Sequence, residues 1–583
     1  MAQPETTSNP AAGSKGSPDF SAFAPKVSAT PIERVDAIVD ALAQRKDEWV
    51  RTPIERRIEL LKRCIDRTLG CAEEWVRAAC RAKGLDFGEP RAGEEWLAGP
   101  MTTVRNLRLL VEALEQGGQP SPRRTWQRDD GQWVAEVFPT SLWDSIMFGG
   151  FSAEVWIEPG KPPTQGRIYR EKRHGHYPPG KVALVLGAGN VASIGPMDAL
   201  YKLFVEDEVV VVKTNPVNAY LQPYWEEAFR PLIEEGVFAV VRGGADVGAY
   251  LVHHSKVDTI HMTGSDRTHD AIVWGSDPEE QARRKKTGER LVDKPITSEL
   301  GAVTPVFVVP GPWSDADIAF QARHVAGMVA NNASFNCNAA KVLVTADRWP
   351  QRAVFLEEVE RALARTPPRY AYYPGAQARY DGFLERYPQA KPLSARTENV
   401  VPWTIIPDVP LEKGEHALTS EAFCGVLASV SLPASDPRAF LEKMVEVGND
   451  ICWGTLSCMV LVHPQTQKAY AAELDRAIAA LRYGGIGINV WAGVIYGLVS
   501  PTWGAFPGHT LEDIQSGRGV VHNTFLFDHP QKSVVRAPFR IRPTPAWFPD
   551  HRTLHVLGPA LTRFEGHPSL LNLAPVLAAA LRG

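Results

Sequence analysis

The 583-residue chain has no C-x-x-C pair and no cysteine/histidine spacing of the kind that holds zinc, so no metal site is expected. Its cysteines, Cys64, Cys71, Cys80, Cys337, Cys424, Cys452 and Cys458, are odd in number and are read as reduced thiols in a reducing compartment. It also lacks an apolar run of the ~20 residues needed to cross a bilayer. The longest candidate, 182–212, is broken by Gly187, Gly189, Asn190, Pro196, Asp198, Lys202 and the acidic Glu206-Asp207-Glu208, and no membrane partner is expected. An excess of one charge is missing too: Lys and Arg number 63 against 67 Asp and Glu, which leaves −4 and speaks against nucleic acid as a partner. No internal repeat is found. Residues 1–26, rich in Ala, Ser, Pro and Gly, lack a basic stretch followed by an apolar one, so they read as a disordered leader rather than a signal peptide. The cytoplasm is the expected location.

What is present is the text of a large α/β protein, long enough for two to four domains. From 31 to 114 apolar residues recur at helical spacing, as in Val35, Ile38, Val39 and Leu42. Between 126 and 168 aromatic and β-branched residues separated by Asp130-Gly131 and Gly149-Gly150 read as hairpins, an arm for pairing with another subunit. From 180 onward the runs 182–186, 209–212 and 238–241 alternate with helical stretches near 196–205 and 224–235, the pattern of a Rossmann-type parallel sheet. A second α/β unit follows, with strands at 303–309 and 341–345 around a helix at 315–329. A strand-like run at 520–527 lies in the Gly- and Pro-rich end. The expected division is therefore 27–298 for helices, arm and cofactor domain, 299–486 for a catalytic domain, and 487–583 for a closing and oligomerisation region.

Six short segments carry candidate chemistry. Gly187-Ala188-Gly189-Asn190 follows an apolar strand, where small glycines let a ligand come close, although a plain turn reads the same way. Lys213 emerges at the end of the next strand, fit to meet a ribose or simply to reach solvent. Gly264 and Ser265, after Thr263, open a helix whose N–H groups suit a pyrophosphate. Glu299-Leu300-Gly301 opens the second unit. Cys337, among asparagines and small residues, is unlike the common buried cysteine. Glu421-Ala422-Phe423 is either a solvated acid or a ligand-binding one.

Taken in order, these segments resemble the aldehyde dehydrogenase superfamily from about 178 to 526. Glu299-Leu300-Gly301-Ala302-Val303-Thr304-Pro305 is similar to its E-L-G-G-x-x-P signature, Glu421-Ala422-Phe423-Cys424-Gly425-Val426 to E-x-F-G-P-V, and the segments 487–490, 501–504 and 516–519 to its closing motifs. The resemblance implies a Rossmann-type cofactor domain, an α/β catalytic domain, a small β arm and a homodimer or homotetramer. It implies oxidation of a small-molecule aldehyde with NAD or NADP. Cys337 would be the nucleophile, Asn190 and the Cys337 N–H would hold the oxyanion, and Glu299 would be the general base. Lys213 would hold the adenosine ribose and Glu421 the nicotinamide ribose, with Gly264, Ser265, Gly301 and Phe423 also around the cofactor.

The sequence departs from the family in three places. Val342 stands where an arginine is usual after the cysteine, and Lys341 is the neighbour that can take its part. Thr214-Asn215-Pro216 lacks the acid that repels a 2′-phosphate, which leaves NADP open. Arg283-Arg284-Lys285-Lys286 lies in an extended segment and reads as a solvated face or a phosphate contact. Two alternatives remain: a coenzyme A-dependent acyl reductase, suggested by Ala188-Gly189-Asn190-Val191, and an inactive scaffold.

Overall fold

The computed structural model describes residues 27–583, so the expected leader lies outside the described residues. The amphipathic N-terminal stretch forms the helices Ile32–Arg51, Ile54–Ala82 and Thr102–Glu115. The first buries Val35, Val39, Leu42 and Trp49 against the cofactor-side sheet, and Pro53, placed where a helix loses nothing by lacking an N–H, starts the second.

That sheet has six strands in the order Gly517–Arg518, Ile296–Leu300, Thr259–Gly264, Val182–Leu186, Val209–Lys213, Phe238–Val241. All pairs but the first are parallel. The uninterrupted valines of 209–212 are buried, as a sheet covered on both faces requires. Glu299 therefore stands on the sheet that carries Gly264 and Lys213, and the chain crosses to the second sheet only after Gly301.

The second sheet is eleven strands wide. Its parallel centre runs Gly485–Ile488, Ser457–Leu461, Pro305–Val308, Val342–Ala346, Val426–Leu432, Thr404–Val409. The 126–168 region joins this sheet within the chain. Its strands Arg124–Gln127, Trp133–Phe138 and Ser152–Ile157 continue the same sheet through Pro530–Arg536, which pairs antiparallel with Ser152–Ile157 and parallel with Gly485–Ile488. Lys532, buried on that strand, donates to the carbonyls of Ile478 (3.0 Å), Ala479 (2.9 Å) and Leu481 (2.7 Å), closing the C-terminal end of the helix Ala471–Ala480.

Local chemistry explains where the expected elements shift. The turn at Gly131 is a hairpin, but Gly149-Gly150 is not. Ser141 caps the helix Leu142–Met147 instead, its hydroxyl accepting from Asp144 N, and this helix separates the two strands. The expected helix near 224–235 breaks at Phe229 into Gln222–Ala228 and Arg230–Glu234, because Pro231 has no N–H to continue it. The run at 520–527 is a strand only over Val520–Val521, since His522 and Leu526 adopt left-handed backbone.

Two helices were not anticipated from the sequence: Leu554–Gly566 packs on the N-terminal helices, and Leu570–Ala580 packs on it in turn. Arg105 fastens the contact: it pairs with Glu565 (2.7 Å) and Asp144 (3.2 Å) and donates to the Leu498 carbonyl (2.8 Å), all buried. Among the described residues no helix is long and apolar enough to cross a membrane, and no cluster of three or more His, Cys, Asp or Glu could hold a metal.

Candidate active site

The carboxyl ends of the first sheet and the loops entering the second enclose a cleft of about 1220 Å³. All nine candidate residues line it: Asn190, Lys213, Gly264, Ser265, Glu299, Gly301, Cys337, Glu421 and Phe423. Ligand crevices in open α/β sheets lie at such strand ends.

Cys337 is half-buried, the only one of the seven cysteines that is not buried. It follows a loop in which Asn332, Ala333 and Ser334 all take left-handed backbone, a conformation natural for Asn and costly for Ala and Ser. Thr304 Oγ1 donates to the Cys337 carbonyl at 3.1 Å. The thiol faces the Glu299 carboxyl, which reaches it from the other sheet. Burial pushes Glu299 up to about 8, and the charge of Asp198 adds to this, while hydrogen bonds from Cys337 and from Trp503 Nε1 (3.2 Å) oppose it. Burial first, then the Glu299 charge, hold the Cys337 thiol well above the usual thiol range.

Asp198 was not singled out from the sequence. It lies buried on the helix Ile194–Phe204, where its carboxylate accepts from Thr263 Oγ1 at 2.9 Å and lies 3.5 Å from His261 Nε2. Thr263 is the cross-strand partner of Glu299, and His261 of Thr297, so these groups share one face of the sheet.

Asn190 donates from Nδ2 to the Phe335 carbonyl at 2.9 Å, which leaves its second amide N–H free. Lys341, the neighbour named for the missing arginine, is buried beside the cysteine loop. It donates to the carbonyls of Asn336 (3.1 Å) and Ala339 (3.0 Å) and pairs with Glu421 at 3.4 Å. Burial raises Glu421, with Lys341 the main opposing charge, and its Oε1 has no hydrogen-bond partner. Arg379 lies over the Phe423 ring, 5.6 Å from its centre.

At the far end, burial pushes Lys213 down to about 8, with Asp246 the opposing charge. Ser265 caps the helix Asp266–Trp274, its Oγ accepting from Thr268 N. The basic run on the helix Pro278–Thr287 is a solvated face: Arg283 pairs with Glu280 and Glu289, Arg284 with Glu280, and Lys285 with Asp270. Of the aromatic residues near these motifs, Trp491 Nε1 donates to the Asn338 carbonyl (2.9 Å), Trp503 holds Glu299, and Phe335 is core.

Fold and cleft together define a two-sheet α/β protein with a large crevice between the sheets. Residues 183–368 match the model of the aldehyde dehydrogenase family. A stretch of 149 residues is 32% identical to a 4-trimethylaminobutyraldehyde dehydrogenase of Oryzias latipes, covering 25% of each chain. A stretch of 316 residues is 24% identical to an N-succinylglutamate 5-semialdehyde dehydrogenase of Sphingopyxis alaskensis, covering 54% of this chain and 53% of that one. The chain thus spans about a quarter to a half of the length of these curated relatives. In structure it is similar to the aldehyde dehydrogenase KauB from Pseudomonas aeruginosa, with a TM-score of 0.60 and 18% identity over 88% of this chain and 92% of that one. A salicylaldehyde dehydrogenase from Pseudomonas putida G7 gives 0.58 and 14% over 88% and 93%. About a third of the chain therefore matches the aldehyde dehydrogenase family, and the fold as a whole is similar to that of solved aldehyde dehydrogenases.

Proposed function

We propose that the protein oxidises an aldehyde to a carboxylic acid with NAD or NADP, through an acyl group carried on Cys337. The observation that carries this is the meeting of Cys337 and Glu299, brought from two different sheets, in one cleft with the residues suited to a dinucleotide.

The cleft fits the cofactor. A Cβ on Gly301 would stand 2.0 Å from Glu421 Oε2, so a residue without a side chain is needed for Glu421 to keep its place, and the Glu421 carboxylate, steadied by Lys341, would accept from a ribose hydroxyl. Lys213 reaches the other ribose, and the N–H groups that open the helix Asp266–Trp274 suit the pyrophosphate. When bound, the nicotinamide supplies the hydride acceptor. Asn215, next but one to Lys213, uses its Oδ1 to accept from Val217 N, and no acid lines the cleft at that position, so NADP is compatible with this end.

The chain's own residues would act as follows. Glu299 takes the proton of the Cys337 thiol, and the thiolate adds to the aldehyde carbon. The free N–H of Asn190 and the Cys337 backbone N–H hold the oxygen as it gains charge. After hydride leaves that carbon, the acyl group remains on Cys337 as a thioester. Glu299 then removes a proton from water, which adds to the thioester, releasing the acid and the thiol.

A second reading rests on the proton affinity of Glu299. A carboxyl pushed up to about 8 is mostly protonated at neutral pH, which weakens activation of water and leaves room for a thiol such as coenzyme A as the acyl acceptor.

The deciding experiment is reduction of NAD+ and NADP+ by a panel of aliphatic and aromatic aldehydes, with and without coenzyme A, in the wild type and in Cys337→Ala. Turnover without coenzyme A that is lost in Cys337→Ala supports aldehyde oxidation. Strict dependence on coenzyme A moves the assignment to the acylating reaction, and no turnover under any condition sinks both.

A further inference from the structure

A buried lysine outside the cleft is tied to both of the segments that build the acyl-transfer centre. Lys83 closes the C-terminal end of the helix Ile54–Ala82, and its ammonium is buried. Its three N–H groups have three acceptors: Glu95 Oε1 at 2.9 Å, Asn332 Oδ1 at 3.0 Å and the backbone carbonyl of Asn190 at 3.1 Å. The set is complete for an ammonium, and the charge is balanced by one carboxylate.

Asn332 is the second half of the device. It opens the left-handed stretch before Cys337, and every polar atom it has is engaged. Its N–H donates to Glu94 Oε2 (3.0 Å), and its Oδ1 faces both Lys83 and the Tyr372 hydroxyl (2.9 Å). Its Nδ2 donates to the Asn190 carbonyl (3.0 Å) and to Asn336 Oδ1 (2.9 Å). The Asn190 carbonyl thus faces Lys83, Asn332 and the Tyr372 hydroxyl (2.9 Å) at once. Tyr372 packs its ring edge-on against Phe335, at 5.0 Å between centres, and Phe335 supplies the carbonyl that holds the Asn190 amide.

These contacts fix the backbone of Asn190 and the cysteine loop relative to one another from behind. Among the described residues, no charged group other than Lys83 hydrogen-bonds to both. A neutral side chain at 83 would leave the Asn190 carbonyl and Asn332 Oδ1 short of a donor in a dry site, where such bonds are worth most.

We propose that Lys83 is a positioning residue of the acyl-transfer centre: acting through Asn332 and the Asn190 carbonyl, it aims the free amide N–H of Asn190 at the oxygen that gains charge when Cys337 attacks the carbonyl carbon. The proposal rests on the roles given above to Cys337 and Asn190, and its test does not require dehydrogenase turnover.

The test compares two reactions of the same thiol. Acylation by p-nitrophenyl acetate passes through a tetrahedral oxyanion: the thiolate bonds to the ester carbon, and p-nitrophenolate leaves with the bonding pair of the broken C–O bond. Alkylation by iodoacetamide displaces iodide and forms no oxyanion. The variant Lys83→Met combined with Glu95→Gln removes the buried pair without leaving one charge alone. Its acylation is expected to slow by about tenfold or more, since losing one oxyanion donor outright costs about a hundredfold or more. Its alkylation rate is expected to stay at the wild-type value when measured well below its melting temperature, which falls because buried hydrogen bonds are lost. Tyr372→Phe, which removes only a hydroxyl, is expected to show the same split to a smaller extent, and it carries the test should the double variant not fold. Wild-type acylation rates in both variants, or acylation and alkylation falling together, would overturn the role of Lys83. A wild type that is not acylated, or is acylated equally in Cys337→Ala, would overturn the proposal together with the reading of Cys337.

Discussion

Gly301 and Glu421 share one space: a Cβ on the glycine would lie 2.0 Å from one carboxylate oxygen and 2.5 Å from the carboxyl carbon. Glu421 is half-buried between Gly301 and Lys341, so a methyl group can be accommodated only by moving the carboxylate. Gly301→Ala should raise KM for the dinucleotide by about tenfold, one hydrogen bond to a charged group being worth about 1.5–3 kcal/mol. Titration of NAD+ and NADP+ at saturating aldehyde reads this directly, and an unchanged KM would remove Glu421 from the ribose site.

The proposed base has a defined pH range. Glu299 sits at about 8 because burial disfavours its charge. A raised carboxyl is protonated, and so inactive as a base, below that value and ionised above it. The ratio kcat/KM should therefore rise with pH through about 8 and level off above it. Glu299→Gln should abolish that limb and lower kcat by about a hundredfold or more, general acid–base groups contributing about 10²–10⁴.

Asp198 adds a negative charge beside that base. Asp198→Asn keeps the shape and most of the hydrogen bonding to Thr263 and His261 while removing the charge. The pH midpoint should move down, toward the ordinary carboxylate range. Asp198→Glu should restore the wild-type profile; a midpoint that stays put in Asp198→Asn would show that burial alone sets Glu299.

Thiol chemistry should be confined to one residue. Cys64, Cys71, Cys80, Cys424, Cys452 and Cys458 are buried, and burial raises each of their thiols. Iodoacetamide at native conditions should label Cys337 alone, slowly at neutral pH because its thiol is also held high, and faster as pH rises. Peptide mapping identifies the site, and NAD+ should protect it. Rapid labelling at any other cysteine would contradict the packing of that helix or strand.

The candidate residues and the parallel sheets were legible in the sequence because both are written locally. Valine runs followed by glycine mark strand ends, and strand ends are where Asn190, Lys213, Gly264 and Glu299 stand. The supports of the site were not legible, because each depends on contacts far apart in the chain. Lys83 before Gly84 looks like any basic helix end, and its partner Asn332 lies 249 residues away. Asp198 is an acid in an apolar helix whose donors come from another strand, 65 residues on. The edge pairing of Ser152–Ile157 with Pro530–Arg536 could not be read for the same reason, as nothing local distinguishes a strand that returns to its own sheet from one that leaves it.

That returning strand also sets an order of assembly. The strands up to Ile157 leave the ribosome early, but the sheet they extend does not exist until Pro530–Arg536 lies beside Gly485–Ile488. The cofactor-side sheet, by contrast, has all but its short edge strand by Leu300. During synthesis one half of the protein can fold while the hairpin Arg124–Phe138, with open edges, waits for a strand made much later, and that interval is when the chain is most exposed to pairing with the wrong neighbour.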